Sequence, residues 1–200
     1  MEYLIVLNGE KIEDLQINSE DFVICADGAL NFLNKKNITP NLIVGDFDSL
    51  GFVPENSIQY PTDKDLTDGE IALIKAKELG AKRVRITCSG GFRDDHFLGN
   101  LALLEIAENL GIFATIETRY SEIYLVTNSI EINVAKNCYV SLIALENSTI
   151  SYSNGLKYEY NNTKLLRAST LGVSNVTISD NIELKIDSGK VLLIVNKTKK

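Results

Sequence analysis

The 200-residue chain has no tryptophan, one histidine and three cysteines. Because His96 is its only imidazole, a metal site built from several histidines is excluded. Cys25, Cys88 and Cys138 form no CxxC pair and lie in apolar stretches, which favours buried free thiols in a reducing compartment. The start lacks the regions of a signal peptide, and no apolar run approaches the ~20 residues that span a bilayer. We therefore expect a cytoplasmic protein without a membrane partner.

Basic charge is also scarce. The net charge is −7, and residues 1–120 carry 20 acids and 11 bases, whereas residues 121–200 carry 7 acids and 9 bases. An acidic chain without a basic patch is a poor candidate for binding nucleic acid. The GxxxxGK[ST] and GxGxxG phosphate-binding motifs and the GxSxG nucleophile elbow are absent too. With 44% hydrophobic and 24% charged residues, the composition is that of an ordinary globular protein.

The first part of the chain alternates short apolar runs with helical patterns. The runs that read as buried strands are 3–7, 22–26, 42–44, 84–88 and 112–117, and the helical segments are 28–36, 68–79 and 95–110. Strands that alternate with helices predict an α/β domain with a mainly parallel, Rossmann-like sheet and helices on both faces. We assign residues 1–120 to this domain.

Helical periodicity stops after about residue 120. The strand-like runs that follow are 122–127, 129–134, 139–145, 156–160, 172–178, 182–186 and 191–196. Their spacing, with Asn, Ser, Gly and Lys between them, is typical of a sandwich or barrel. Residues 121–200 are therefore predicted to form a smaller all-β sandwich domain.

Acids crowd the segment between Gly45 and Glu70. It contains Asp46, Asp48, Asp63, Asp65, Asp68 and Glu70. In an extended segment residues i and i+2 point the same way, so Asp46 and Asp48 could face one Mg²⁺, which prefers oxygen ligands. The alternative is that they cap a turn, which would be favoured for an isolated DxD. Because more acids follow, metal binding is the better interpretation.

The start of the predicted helix 68–79 has a structural explanation of its own. Thr67 and Glu70 have the spacing of a capping box, so Glu70 is interpreted as mostly structural. Asp65 and Asp68 are spaced i, i+3 and could share a face. Lys64 beside them could hold phosphate.

The segment SGGFRDDHFLGN (89–100) combines glycines with Arg93, two acids and His96. Glycines permit backbone contact with phosphate, and arginine offers a forked set of donors for it. A lone histidine is more often structural than catalytic, and His96 stays open between tying down the loop and acid–base work.

Taken together, the ordered motifs resemble the thiamine pyrophosphokinase family. They are ADGA (26–29), GDFDS (45–49), KDLTDGEIAL (64–73), GFRDDHFLGN (91–100), GLKY (155–158) and GVSN (172–175). The resemblance implies transfer of a pyrophosphoryl group from ATP to the hydroxyl of thiamine, giving thiamine diphosphate and AMP. It also implies Mg²⁺ and a homodimer whose active site is shared between subunits. Two departures are Phe92, which stands before Arg93, and Tyr158, where some members carry tryptophan.

The resemblance also implies roles for residues at matching positions. Those expected to take part in catalysis are Asp46, Asp48, Asp65, Asp68, Arg93 and His96, with Asp46, Asp48 and Asp68 as metal ligands. Those expected to bind the nucleotide are Asp27, Gly28, Ser49, Lys64, Gly91, Arg93, Asp95 and Asn100. Those expected to bind thiamine are Tyr158, Ser174 and Asn175.

Two other functions remain open at this point. One is a pyrophosphokinase for another small alcohol, such as a pterin, against which the motifs of the β domain argue. The other is a non-catalytic sensor of Mg-nucleotide, against which the complete set of aspartates argues, because a sensor needs fewer acids near phosphate.

Overall fold

The computed structural model describes residues 2–91 and 93–199, with side chains up to residue 197. Contacts within the chain divide it into two units, Met1–Arg119 and Tyr120–Lys200. Within the described residues, no helix is both long enough and apolar enough to cross a membrane. All three cysteines are buried and free, as their apolar surroundings predict.

The first unit contains a parallel sheet. Its strands are β1 (Tyr3–Val6), β2 (Phe22–Ala26), β3 (Leu42–Gly45), β4 (Ser57–Gln59), β5 (Arg83–Thr87) and β6 (Phe113–Glu117). The spatial order is β6-β5-β1-β2-β3-β4, and every neighbouring pair is parallel. The predicted parallel sheet is confirmed, but β4 was missed because three largely polar residues carry no apolar run.

Three helices accompany this sheet. They are α1 (Leu30–Lys35), α2 (Asp68–Glu78) and α3 (Asp94–Asn109). The segment predicted as one helix over 28–36 begins instead with a 3₁₀ turn, Asp27–Ala29. At the start of α2, the Thr67 hydroxyl accepts a hydrogen bond from the Glu70 N–H at 3.2 Å. This is one of the two bonds of the predicted capping box.

Both faces of the sheet receive apolar side chains from helices. Leu4 and Val6 belong to the buried cluster that contains Phe32 and Leu33 of α1. Leu7, which follows β1 with the opposite orientation, lies against Gly69 in α2, whose added Cβ would be 3.2 Å from the leucine side chain. The α/β alternation in the sequence is therefore realised as helices packed on a buried sheet.

The second unit is all-β in its described residues. Its strands are β7 (Ser121–Val126), β8 (Ser129–Asn133), β9 (Cys138–Ala144), β10 (Ser148–Asn154), β11 (Thr163–Leu165), β12 (Asn175–Val176), β13 (Asn181–Ser188) and β14 (Val191–Lys199). They pair as β12-β9-β14-β7 and as β11-β10-β13-β8, antiparallel within this unit. Residues of both sets, such as Leu142 and Leu184, share one buried cluster. The predicted all-β character of this part of the chain is confirmed, and its strands form a separate antiparallel β domain.

Two strand predictions in this unit are wrong. Of 156–160 only Leu156 makes a bridge, to Thr177, and of 172–178 only Asn175 and Val176 form a strand. The Glu159 carboxylate accepts the Leu156 N–H at 2.9 Å, so a local side-chain bond replaces ladder pairing. Conversely, β10 and β11 were missed because serine, threonine and asparagine dilute their apolar pattern.

Gly155, just before Leu156, lies where the backbone of this segment closely approaches Asn181. Its φ is +90°, and a Cβ there would lie 2.1 Å from the Asn181 carbonyl oxygen. Gly80 has nearly the same φ, +89°, with nothing within 4 Å of an added Cβ. We expect Gly80→Ala to cost about 1–2 kcal/mol for its left-handed backbone, and Gly155→Ala about 3 kcal/mol or more.

Urea unfolding of each variant against the wild type measures these costs. Gly80→Ala reproduces the backbone strain without the collision. The difference between the two losses in unfolding free energy therefore isolates the contact with Asn181. Equal costs for the two variants would contradict the close approach at Gly155.

Candidate active site

Three strands of the parallel sheet end in the same backbone conformation. Asp27, Phe47 and Cys88, which follow β2, β3 and β5, have positive φ values of 43°, 63° and 56°. Such a conformation is uncommon for residues other than glycine and costs on the order of 1–3 kcal/mol each. The carboxyl ends of parallel strands are also where open α/β sheets bind ligands. The strain therefore lies where a functional site is expected.

Three carboxylates meet at this edge. Oxygen atoms of Asp27, Asp46 and Asp48 all lie within 4.8 Å of one another. Asp27 is fixed by two donors, the Phe47 N–H at 3.1 Å and the Ser49 hydroxyl at 2.7 Å. Three oxygen donors at this spacing suit a hard divalent cation such as Mg²⁺, which uses carboxylate ligands.

Asp46 and Asp48 converge by a route that differs from the predicted one. They lie in a turn and not in an extended segment, because the buried Phe47 between them is left-handed. The Asp48 N–H donates to an Asp46 carboxylate oxygen at 3.2 Å, as in an Asx turn. The turn of one alternative is present, and the two residues also present their carboxylates to one point. Metal binding at that point stays a prediction.

Lys64 lies among these acids. Its Nζ is 3.1 Å from an Asp46 oxygen and 3.2 Å from an oxygen of Asp68. The Asp48 N–H, and after it the Lys64 ammonium, hold the pKa of Asp46 below its ordinary value, although partial burial opposes this shift. Burial also opposes protonation of Lys64, but its two carboxylate contacts outweigh burial and raise its pKa. The predicted phosphate ligand is therefore an internal counter-ion in this structure.

Asp68 behaves differently from Asp46, although both contact Lys64. Burial raises the pKa of Asp68, and the Lys64 ammonium only partly offsets that effect. The buried Oδ1 of Asp68 lies within ion-pair distance of the Lys64 Nζ but makes no hydrogen bond. Asp68 was predicted as a metal ligand beside Asp46 and Asp48, whereas the carboxylate that completes their cluster is that of Asp27. The position of Asp27 directly after β2, next to the end of β3, is the signal that could have identified it.

A pocket of about 530 Å³ opens beside these acids. Its lining residues come from the ends of β1, β2 and β5 and from the starts of α2 and α3: Leu7, Asn8, Gly9, Ala26, Asp27, Thr62, Lys64, Leu66, Thr67, Asp68, Gly69, Ser89, Gly90, Arg93, Asp95, His96, Gly99 and Asn100. Gly28 makes room next to it, since a Cβ there would be 2.8 Å from the Ser49 hydroxyl. Neither Asp65, which is exposed, nor Gly91 is among the lining residues.

The loop after β5 contributes a second charged pair. The Arg93 guanidinium donates to both oxygens of Asp95, at 2.9 and 2.6 Å, and both side chains are exposed. This contact lowers the pKa of Asp95 well below its ordinary value. His96 is exposed in the first turn of α3, and Asn100 donates to the Ser89 carbonyl at 2.8 Å. Phe92, the departure noted in the sequence, lies outside the described residues.

The three residues predicted to bind thiamine lie close together in the second unit. Asn175 is buried, and its amide accepts the Tyr158 N–H at 3.1 Å and donates to the Tyr158 carbonyl at 2.7 Å. The Tyr158 side chain is 60% exposed, with the Lys157 ammonium 5.2 Å from its ring centroid. Ser174 is exposed and left-handed. Asn175 therefore holds the backbone that presents the tyrosine ring.

Sequence reasoning missed four polar residues of the pocket, Asn8, Thr62, Thr67 and Ser89. Thr67 was assigned only to helix capping. Asn8 follows β1 and Ser89 follows β5, so the rule that ligands bind beyond strand ends would have selected both. The Ser89 side chain is 2% exposed, and its hydroxyl has no hydrogen-bond partner.

Comparison with known proteins gives the same outcome for both units. A family model described as the catalytic domain of thiamin pyrophosphokinase matches residues 14–114. A second, described as the vitamin B1 binding domain of thiamin pyrophosphokinase, matches residues 127–191. A curated relative, the thiamine pyrophosphokinase of Bacillus subtilis (strain 168), is 28% identical over 169 residues, covering 78% of this chain and 78% of the relative.

Solved structures agree with the family models. The crystal structure of a thiamine pyrophosphokinase from Bacillus subtilis has a TM-score of 0.88 and 26% identity, covering 99% of this chain and 100% of that one. A thiamin pyrophosphokinase from Geobacillus thermodenitrificans gives 0.84 and 26%, with coverage of 99% and 98%. Since the catalytic-domain model alone matches half of the chain, the chain belongs to the thiamin pyrophosphokinase family.

Proposed function

We propose that this chain is an ATP-dependent thiamine diphosphokinase that transfers a pyrophosphoryl group to thiamine. The observation that carries the assignment to this pocket is the cluster of Asp27, Asp46 and Asp48 beside the cations Lys64 and Arg93. The match of residues 127–191 to a vitamin B1 binding model disfavours both a pterin pyrophosphokinase and a nucleotide sensor.

The acids supply the cation site. Asp27, Asp46 and Asp48 hold Mg²⁺, which when bound neutralises charge on the phosphate oxygens. Lys64 and Arg93 now contact carboxylates, at 3.1 Å for Asp46 and 2.6 Å for Asp95. On binding ATP, these cations exchange carboxylate partners for phosphate oxygens, and a guanidinium can do so with two parallel hydrogen bonds.

The transfer itself needs a proton acceptor and orientation. The hydroxyl oxygen of thiamine forms a bond to the β-phosphorus of ATP, the bond from that phosphorus to the α–β bridging oxygen breaks, and AMP leaves. Asp68 receives the proton of the alcohol, because its carboxylate lines the pocket with a buried oxygen that makes no hydrogen bond, and burial raises its pKa. Asp65 is exposed outside the pocket and has an outer role, whereas His96 is exposed in the first turn of α3 and lines the pocket with Arg93.

The remaining nucleotide contacts surround this centre. Ser49 and Gly28 shape the wall near Asp27, and Asn100 and Asp95 hold the loop after β5. Gly91 has a φ of +115°, and an added Cβ would lie 2.8 Å from the Glu10 backbone nitrogen, so it secures the loop and does not touch ligand.

Thiamine is a flat cation, and the second unit offers it an aromatic face. Tyr158 stacks on the ligand, Asn175 keeps the tyrosine backbone in place, and Ser174 offers a hydroxyl. In line with the family resemblance, we assign a homodimer in which the β domain of one subunit completes the acidic site of the other. The units then correspond to a Rossmann-like nucleotide-binding domain and a thiamine-binding β-sandwich in a cytoplasmic enzyme.

Asp46→Asn tests the cation site. The change keeps the shape of the side chain but removes one ligand charge, so AMP formation from ATP, Mg²⁺ and thiamine should fall about 100-fold or more. Without metal, its melting temperature should drop slightly, because Asp46 loses its ion pair with Lys64. Repulsion among the carboxylates alone would predict a higher melting temperature for the variant.

Asp63→Asn is the matched control, since Asp63 is exposed in the same acidic segment but does not belong to the carboxylate cluster of Asp27, Asp46 and Asp48. Its turnover should stay within about twofold of the wild type, as for a typical surface change. Near-normal turnover of Asp46→Asn would remove Asp46 from the catalytic site, and an equal loss in both variants would indicate a nonspecific charge effect.

Asp68→Asn tests the buried carboxyl through its pH dependence. Because the folded protein raises the pKa of Asp68 above 3.8, its ionised form destabilises the fold at neutral pH. The metal-free variant should therefore melt at a higher temperature than the wild type at pH 7. The difference in melting temperature between variant and wild type should narrow as the pH falls towards 4, because Asp68 of the wild type becomes protonated. The variant should lack catalytic activity at every pH. A constant gap between pH 4 and 8 would show that the carboxyl charge is not its cause.

Tyr158→Ala tests the thiamine face. We expect the KM for thiamine to rise about tenfold and the KM for ATP to change little, because the ring contacts only the organic cation. Tyr152→Ala is the control, since Tyr152 is also a half-exposed tyrosine of the second unit, with Lys185 over its ring. At thiamine concentrations well below the raised KM, mixed dimers of Asp46→Asn and Tyr158→Ala chains should be more active than either parent if each site draws on two subunits.

A further inference from the structure

Asn8 lies at the junction between β1 and the pocket. The backbone after β1 runs beside the loop after β5, with the Gly9 N–H donating to the Cys88 carbonyl at 2.8 Å. A Cβ on Gly9 would lie 2.3 Å from the Gly90 carbonyl oxygen, so the two segments are in direct contact. Asn8 is exposed and lines the pocket on this firmly held segment.

The orientation of the Asn8 amide is fixed by its neighbour Lys11. The Lys11 ammonium donates to Asn8 Oδ1 at 2.9 Å. A lysine ammonium has donors only, so it can bind the oxygen of the amide but not the nitrogen. Nδ2 then lies on the side of Gly28, where an added Cβ would be 2.4 Å away from it.

Lys11 is itself held in place by α1. Its ammonium lies 5.7 Å from the centroid of the Phe32 ring, over the aromatic face. Lys36 lies over the same ring at 5.4 Å but binds Glu13 instead of Asn8. Of the two lysines on this ring, Lys11 contacts the asparagine that lines the pocket and Lys36 does not.

We propose that the NH₂ group of Asn8 binds a phosphate oxygen of ATP, and that Lys11 is the positioning residue that keeps this group turned towards the pocket. The proposal rests on the proposed function, since it takes the pocket as the ATP site. Nδ2 and the Ser49 hydroxyl both lie next to Gly28, and Ser49 binds Asp27 of the carboxylate cluster. Asn8 therefore borders the place where Mg²⁺ and phosphates are expected.

The chemistry of the pair favours a phosphate. At neutral pH phosphate oxygens only accept hydrogen bonds, and an amide NH₂ only donates them. A cation 2.9 Å behind the carbonyl oxygen polarises the amide, which makes its N–H groups more positive. Lys11 thereby acts on a phosphate through a neutral side chain, without placing a second ammonium in the pocket beside Lys64.

Competition binding tests the proposal with the full-length protein. The affinity of ATP with Mg²⁺ is measured, followed by displacement with tripolyphosphate and, separately, with adenosine. Asn8→Asp keeps the shape and the contact with Lys11 but replaces the donor by a carboxylate. We expect it to weaken the binding of ATP and tripolyphosphate about 10- to 100-fold or more, because a hydrogen bond to a charged group is lost and the new carboxylate repels phosphate. Adenosine affinity and the KM for thiamine should stay unchanged.

The lysine variants separate positioning from structural support. Lys11→Met should weaken tripolyphosphate binding about threefold to tenfold, because the amide is then free to turn over. Lys11→Arg, which retains donors for Oδ1, should restore binding. Lys36→Met, which removes the other ammonium from the Phe32 ring, should bind tripolyphosphate as the wild type does.

The outcomes are distinct. Wild-type affinity for tripolyphosphate in Asn8→Asp and in Lys11→Met would overturn the proposal. So would a loss confined to adenosine or to thiamine, which would place Asn8 at another part of a substrate. An equal loss in Lys36→Met would show that the ring and its cations merely support the fold. A wild-type protein that binds no ATP would instead remove the proposed function itself.

Discussion

The electrostatic balance around Lys64 is the interaction on which the site depends. Carboxylates within 4.8 Å of one another repel, and one ammonium in contact with Asp46 and Asp68 offsets part of that repulsion. The Asp48 N–H, and after it this lysine, lower the pKa of Asp46, while burial raises the pKa of Asp68. Two aspartates thereby acquire different proton affinities, which fits the proposed roles of binding a cation and accepting a proton.

The backbone supports this balance at a local cost. The chain adopts left-handed conformations at Asp27, Phe47 and Cys88, which follow three strands of the parallel sheet. Phe47 turns the chain so that its flanking aspartates converge, and its buried side chain holds that turn in place. Packing of the parallel sheet and its helices therefore sustains a strained arrangement that short-range preferences alone would not produce.

Much of the fold could be predicted from periodicity, because buried strands such as Phe22–Ala26 are continuous apolar runs. The errors arose where pairing depends on partners distant in sequence. LKYEY (156–160) alternates apolar and polar residues like a strand, but the Glu159 carboxylate accepts a hydrogen bond from the Leu156 N–H. The polar STISYSN segment (148–154) nevertheless pairs with β13. In the site, Asp27 and Lys64 were both identified, but their roles depend on distances across strands and loops, which spacing along the chain does not encode.

The position of Lys64 also has a consequence for the order of events at the site. Phosphate that arrives alone and draws Lys64 away leaves Asp46 and Asp68 uncompensated, and a cation that arrives alone must share Asp46 with an ammonium. With the proposed metal and phosphate sites, each ligand removes the electrostatic obstacle to the other, and we expect metal and nucleotide to bind with positive cooperativity. By thermodynamic linkage the coupling is reciprocal. The proposed sites therefore favour uptake of the metal–nucleotide complex over either component.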